Sequence, residues 1–207
     1  NEIHKNLNDK QKAFDHFFSN LNYGSTKLEE GNILISDPFL RDPNFSRTVI
    51  LIVKHNDEGS LGFVLNDKSK FTISEVVDNF PDFETNIFLG GPVGIESLFF
   101  IHTRNDIISE GIEVINGLYW GGDFDELKNA ISENKIQKEE LIFFVGYSGW
   151  DKEQLDREVK EKSWIIADIT TEEVMLQTGK YLWNSKLKKL GEKYKILSNF
   201  PADPSLN

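Results

Sequence analysis

The chain has 207 residues, a formal net charge of −11 and no cysteine. That length fits one domain with a sizeable core, to which sixteen Phe and four Trp contribute apolar area. The missing cysteine excludes disulfides, thiolate catalysis and Cys-ligated zinc or iron–sulfur centres, and the charge disfavours broad binding to nucleic acid or anionic lipid, both polyanions.

The longest apolar runs, such as Val49 to Val53 and Leu141 to Val145, are about five residues, whereas a membrane-spanning helix needs roughly 20. The polar start, Asn1 to Lys12, lacks a secretory pattern. A soluble, cytoplasmic protein is the expectation.

Residues 1–27 read as a helical appendage. Phe14, Phe17, Phe18 and Leu21 form one amphipathic stripe, and Gly24-Ser25 breaks it. The stripe either packs on residues 28–207, read as the main domain, or joins a second copy or a partner, giving a homo-oligomer.

Ile33 to Ser36 is a short strand, and Asp37-Pro38 and Asp42-Pro43 mark turns. Arg47 to Lys54 is apolar on consecutive positions, which predicts a strand covered on both faces. The turn His55 to Gly59 and the strand Leu61 to Leu65 complete a hairpin. Thr72 and Glu75 have capping-box spacing ahead of a short helix that ends before Pro81. Strands follow at Ile87 to Leu89 and Ser97 to Thr103, with another hairpin across Ile112 to Trp120. Asp123 and Glu126 repeat the capping spacing before the helical stripe Phe124, Leu127, Ala130 and Ile131. Leu141 to Val145 is a buried strand feeding Gly146-Tyr147-Ser148-Gly149-Trp150, read as a turn into a charged helix capped by Asp151, with Gln154 at the reciprocal position. In that helix Glu153–Arg157, Asp156–Lys160 and Glu158–Lys162 have ion-pair spacing. Trp164 to Ala167 is a strand, Thr170 and Glu173 give a third capping box, and Trp183, Leu187 and Leu190 share a helical face ending at Gly191. Strands partly in hairpins, without βαβ repeats, define an α+β fold with a mixed sheet.

Ser148 follows a strand and precedes a helix, as a nucleophile elbow would. The second glycine falls at 149 rather than 150, and all four histidines (4, 16, 55 and 102) precede the serine. Gly90-Gly91-Pro92-Val93-Gly94 has no Lys-Ser/Thr after it, so it reads as a close-packed turn or a backbone cradle rather than a Walker loop. The histidines have no metal-ligand spacing, and no cofactor is implied. Lys180, Lys186, Lys188, Lys189, Lys193 and Lys195 face only Glu192 locally and read as a basic patch without arginine.

Taken in order, Gly31 with Leu34-Ile35, Arg47-Thr48-Val49-Ile50, His55-Asn56, Gly62-x-Val64-Leu65-Asn66, Gly90-Gly91-Pro92-Val93 and Gly146-Tyr147-x-Gly149-Trp150-x-x-x-Gln154-Leu155-x-x-Glu158, with Trp164 beyond, resemble the AlgH/YqgE family of small bacterial proteins over residues 28–190. The resemblance implies one α+β domain with a mixed, partly barrel-like sheet flanked by helices. It supplies no catalytic mechanism, and some members carry a transcriptional-regulator label. Asp67-Lys68 departs from the family pattern, in which a basic residue and Pro are common after the Asn.

The residues and the resemblance together lead to a cytoplasmic protein that binds a partner or small ligand without catalysis, in a regulatory role. His55, Asn66, Gly90, Gly91, Tyr147, Trp150 and Gln154 are the candidate ligand-binding residues. The rival readings are a hydrolase using Ser148 or His55 and a weak nucleic-acid binder using the C-terminal lysines.

Overall fold

A computed structural model of the protein describes residues 27–177 and 179–200. The stripe from Phe14 to Leu21 and residues 201–207 lie outside the described residues.

Ten strands and six helices are present among the described residues. The strands are β1 (Ile33–Ser36), β2 (Val49–Asn56), β3 (Gly59–Val64), β4 (Lys68–Thr72), β5 (Asn86–Leu89), β6 (Val93–His102), β7 (Ile112–Ile115), β8 (Leu118–Trp120), β9 (Leu141–Asp151) and β10 (Trp164–Ala167). The helices are α1 (Ile73–Val76), α2 (Phe124–Ser132), α3 (Gln154–Lys160), α4 (Thr171–Met175), α5 (Tyr181–Lys189) and α6 (Glu192–Leu197).

The main path of the sheet runs β10-β1-β2-β3-β9-β6-β8-β7. β9 organises it. One edge of β9 pairs with β6, and the other pairs first with β5, in parallel, and then with β3. The β5–β9 contact is the parallel member of an otherwise antiparallel sheet, so the sheet is mixed as expected. No ladder joins β7 to β10, so the sheet is open. Its ends still approach: Val114 and Leu118 share a core with Ile33 and Ile165, and a Cβ on Gly31 would lie 2.7 Å from the Val114 carbonyl oxygen.

Alternation sorts the side chains into layers. Ile33, Ile35, Leu51, Phe63, Phe144 and Ile165 pack on one face with Trp183, Leu187, Tyr194 and Leu197 of α5 and α6. On the other face Leu155 of α3 packs with Leu34, Ile50, Val64, Trp150 and Trp164. Ile73 of α1 and Leu127 and Ile131 of α2 pack with Ile87, Phe100 and Phe143. Val49 to Val53 is buried throughout, which explains its unbroken apolar run.

Three local expectations need correction. β9 does not stop before a turn at Gly146; it continues to Asp151 because β3 extends back to Gly59 and supplies partners for Ser148 to Asp151. The helix that follows has Glu153, at φ 61°, as its N-cap, so Asp151 is not the cap; Gln154 reaches back to the Asp151 N–H at 3.0 Å. α3 ends at Lys160, and Lys162, at φ 63°, lies beyond it, so helical spacing does not pair it with Glu158. The helical face of Trp183 and Leu187 does end at Gly191 as expected, and Gly191 then opens α6. The edge strand β4 carries Lys68 and Lys70 and has no apolar alternation, a pattern that discourages edge pairing and hides the strand from periodicity.

Candidate functional site

The site begins with a slip in β9. Ile142 and Phe144 face the layer shared with α5 and α6, and so does Tyr147, although strict alternation would put 147 on the opposite face. The slip falls at Gly146, whose φ is +68°. Across it the β6 register jumps from Leu98–Val145 to Val93–Tyr147. A bulge of this kind turns a side chain to the other face. Gly146 is required there, since a Cβ would lie 2.5 Å from the Gly91 carbonyl oxygen in the left-handed region.

The Tyr147 ring then lies between two glycines. A Cβ on Gly94 would sit 3.1 Å from its Cε1, and one on Gly149 would sit 3.0 Å from its Cε2. Phe99 meets the ring edge-on at 5.7 Å.

Beside this ring, the β2–β3 hairpin, the end of β9 and the start of β6 enclose an open cleft of about 340 Å³. Leu61, Val93 and Tyr147 supply its apolar surface, and Lys54, Asn56, Glu58, Ser60 and Asp151 its polar surface. Gly149 and Trp150 complete the β9 side. The Asn56 side chain accepts the Glu58 N–H at 3.0 Å, which tightens the hairpin turn. Lys54 pairs with Glu58 at 3.4 Å, an exposed contact of small energy.

Of the seven residues singled out from the sequence, Tyr147 and Trp150 line this cleft. Gly90 and Gly91 do not line it but pack against β9. Gly90 donates its N–H to Val145 O, and a Cβ on Gly91 would lie 2.3 Å from the Tyr147 carbonyl. Gln154 ties α3 to the end of β9 through the Asp151 N–H. His55 sits in β2 between the lining residues Lys54 and Asn56. Its Nδ1 and the Ser60 hydroxyl are 2.8 Å apart, and its N–H donates to Glu30. Asn66 is engaged elsewhere: its amide accepts from Val49 N and donates to Arg47 O, both at 2.8 Å. Lys54, Asn56, Glu58, Leu61, Val93 and Asp151 escaped the sequence reading. The hairpin was legible, but its pairing with the far end of β9, Gly59 opposite Asp151, was not.

Ser148 is fully buried and donates its hydroxyl to Gly90 O at 3.1 Å. His102, also buried, accepts the Arg104 N–H on Nδ1 at 3.1 Å, so Nε2 carries the proton given to Gly121 O at 2.9 Å. Burial pushes its titration below the ordinary histidine value. Neither group lines the cleft.

The C-terminal lysines are not a uniform patch. Lys186 is buried and pairs with Glu173 at 2.6 Å, and Lys189 reaches the same carboxylate at 2.7 Å. The Lys186 contact, then the Lys189 contact, lowers the Glu173 carboxyl to about 2. Glu173 is also the reciprocal member of the Thr170 capping box. Its neutralising role is invisible in the local charge pattern.

Among the described residues, no helix is long and apolar enough to cross a membrane.

Fold and cleft define a class: an α+β domain on one open, mixed sheet, with a cleft where β9 slips register. The AlgH-like family model matches residues 33–195. A UPF0301 protein from Cytophaga hutchinsonii is 45% identical over 182 residues, covering 87% of this chain and 100% of the relative. One from Parabacteroides distasonis is 41% identical over 86% of this chain and 91% of the relative. The solution structure of the AlgH protein from Pseudomonas aeruginosa superposes with a TM-score of 0.67 at 26% identity, covering 83% of this chain and 94% of that one. The crystal structure of protein DIP2367 from Corynebacterium diphtheriae shares the fold, with a TM-score of 0.64 at 20% identity over 84% and 93%. The chain belongs to the AlgH-like family.

Proposed function

We propose that this protein is a cytoplasmic binding protein, regulatory rather than catalytic, that takes a partner group or small ligand in the cleft beside Tyr147. The observation that carries the reading is the slip at Gly146, which turns an aromatic ring out of alternation into an open cleft. A ring clamped by two glycines is preorganised for contact. In this reading Tyr147 and Trp150 line the site, Gly90, Gly91 and Gln154 shape it, and His55 and Asn66 hold the strands that frame it. The buried hydroxyl of Ser148, held by Gly90 O, favours binding over the hydrolase alternative. Pairing of Lys186 and Lys189 with Glu173 weighs against nucleic acid as the partner. The transcriptional-regulator label of some relatives therefore fits a protein-mediated role better than direct DNA contact.

A thermal-shift screen of metabolites and short peptides tests the proposal. A ligand at 100 times its Kd stabilises the fold by about 2.7 kcal/mol. At roughly 2–4 °C per kcal/mol for this size, the melting point rises by about 5–11 °C. Val93 is 40% exposed, so Val93→Lys, which fills the cleft with its own stem and ammonium, should fold and lose that rise. Hits that stabilise Val93→Lys equally would place binding elsewhere and defeat the proposal.

A further inference from the structure

The cleft's shape and charge restrict what it accepts. Its volume of about 340 Å³ is near the lower end of ligand pockets. It is open and suits a side-chain-sized group better than a dinucleotide. Leu61, Val93 and the Tyr147 ring form apolar surface for an alkyl stem. At the rim stand two carboxylates, Glu58 and Asp151, against one ammonium, Lys54. Glu58 is already engaged by that ammonium. Asp151 uses its N–H to reach Gln154, and its carboxylate takes no hydrogen bond or ion pair among the described residues. The chain as a whole carries −11. Phosphates and carboxylates would meet a surplus of negative charge here, whereas a cation would meet Asp151 and an aromatic ring.

We infer that the cleft binds an alkyl-linked cation, the guanidinium or ammonium of an arginine- or lysine-like group, with its stem along Leu61, Val93 and Tyr147 and its head at Asp151 and Glu58. This rests on the cleft being the binding site and adds the chemical class of what enters it. A free amine and a basic side chain of a partner protein share this chemistry.

The test is a titration of the full chain by amide and side-chain NMR, using N-acetyl-arginine methylamide, its uncharged counterpart N-acetyl-citrulline methylamide, N-acetyl-glutamate methylamide, and a ten-residue peptide with one central arginine. Saturable shifts at Tyr147, Leu61 and Gly149 are expected with the arginine probe, at least tenfold weaker with citrulline and absent with glutamate. Asp151→Asn combined with Glu58→Gln should weaken the arginine probe about tenfold while leaving the unliganded spectrum dispersed as for the folded chain, and added salt should weaken it too. Tighter binding of the peptide than of the amide assigns the cation to a protein partner, and equal binding assigns it to a small alkyl-linked cation. Citrulline or glutamate binding at Tyr147 as tightly as arginine would overturn the inference while leaving the cleft a binding site. No saturable shift at Tyr147 with any probe would overturn the inference, and a thermal-shift hit sensitive to Val93→Lys would then show the cleft itself intact.

Discussion

Trp150 and Trp164 donate their indole N–H groups to the same carboxylate oxygen, Oε2 of Glu158, at 3.0 and 2.8 Å. Their rings meet edge to face at 6.1 Å. The other oxygen of Glu158 accepts from Gln154 Nε2 at 2.9 Å. One carboxylate thus ties the end of β9, the start of α3 and the edge strand β10 together, and so holds the β9 wall of the cleft.

Glu158→Gln removes the charge and leaves one carbonyl oxygen for two indoles and an amide. The expected cost is about 1.5–3 kcal/mol, since hydrogen bonds to a charged acceptor are lost. Urea unfolding followed by tryptophan fluorescence measures it. An unchanged midpoint would show that the shared acceptor contributes nothing.

Ser148→Ala deletes a buried hydroxyl that donates to Gly90 O. Stability should fall by about 1 kcal/mol, and ligand-induced thermal shifts should remain. Covalent labelling of wild-type Ser148 by a fluorophosphonate would instead revive the hydrolase reading.

Gly91→Ala should be among the most damaging single changes. Gly91 has φ +153°, and its Cβ would meet the Tyr147 carbonyl, Tyr147 C and Ser148 N at 2.3–2.4 Å. Backbone on both sides cannot give way cheaply, so a loss of about 3 kcal/mol is expected in denaturant melts. Gly117→Ala is the control: its positive φ strains the turn, but nothing lies within 4 Å of the added Cβ.

Two titrations set separate pH windows for stability. The folded value of His102 is depressed by burial, so its contribution is complete above the unfolded value of 6.5 and fades as pH falls through the lowered folded value. Glu173 is depressed to about 2 from 4.5, so its contribution is complete above 4.5 and fades as pH falls toward 2. Melting curves should show one decline below neutrality, reduced in His102→Gln, and a second one below 4.5, reduced in Glu173→Gln. Glu173→Gln should also lower stability at pH 7, by about 1.5–3 kcal/mol, because buried Lys186 loses its ionic partner.

What could be read from the sequence was local. Thr72 with Glu75 and Thr170 with Glu173 form the capping boxes that their spacing announced, because both partners lie within one turn. Asp123 caps α2 as expected, yet Glu126 turns away to Ser109 N, a partner set by tertiary packing. The β2–β3 hairpin was legible from its turn, and the family from an ordered set of short motifs. The length of β9 was not, since it depends on Gly59 meeting Asp151 across 92 positions of chain. Neither was the facing of Tyr147, which follows from the break in register at Gly146 that alternation cannot foresee. The importance of Tyr147 and Trp150 showed in the motif; the cleft that they share with Lys54, Leu61 and Val93 showed only in the fold.

The central claim, that the cleft beside Tyr147 is where this protein binds, is tested most directly by mapping a bound ligand onto backbone and side-chain NMR shifts. A hit from the thermal screen, titrated into the labelled full chain, should move Tyr147, Gly149, Leu61 and Val93 together with one dissociation constant. Saturable shifts clustered elsewhere, with these four residues unmoved, would contradict the account.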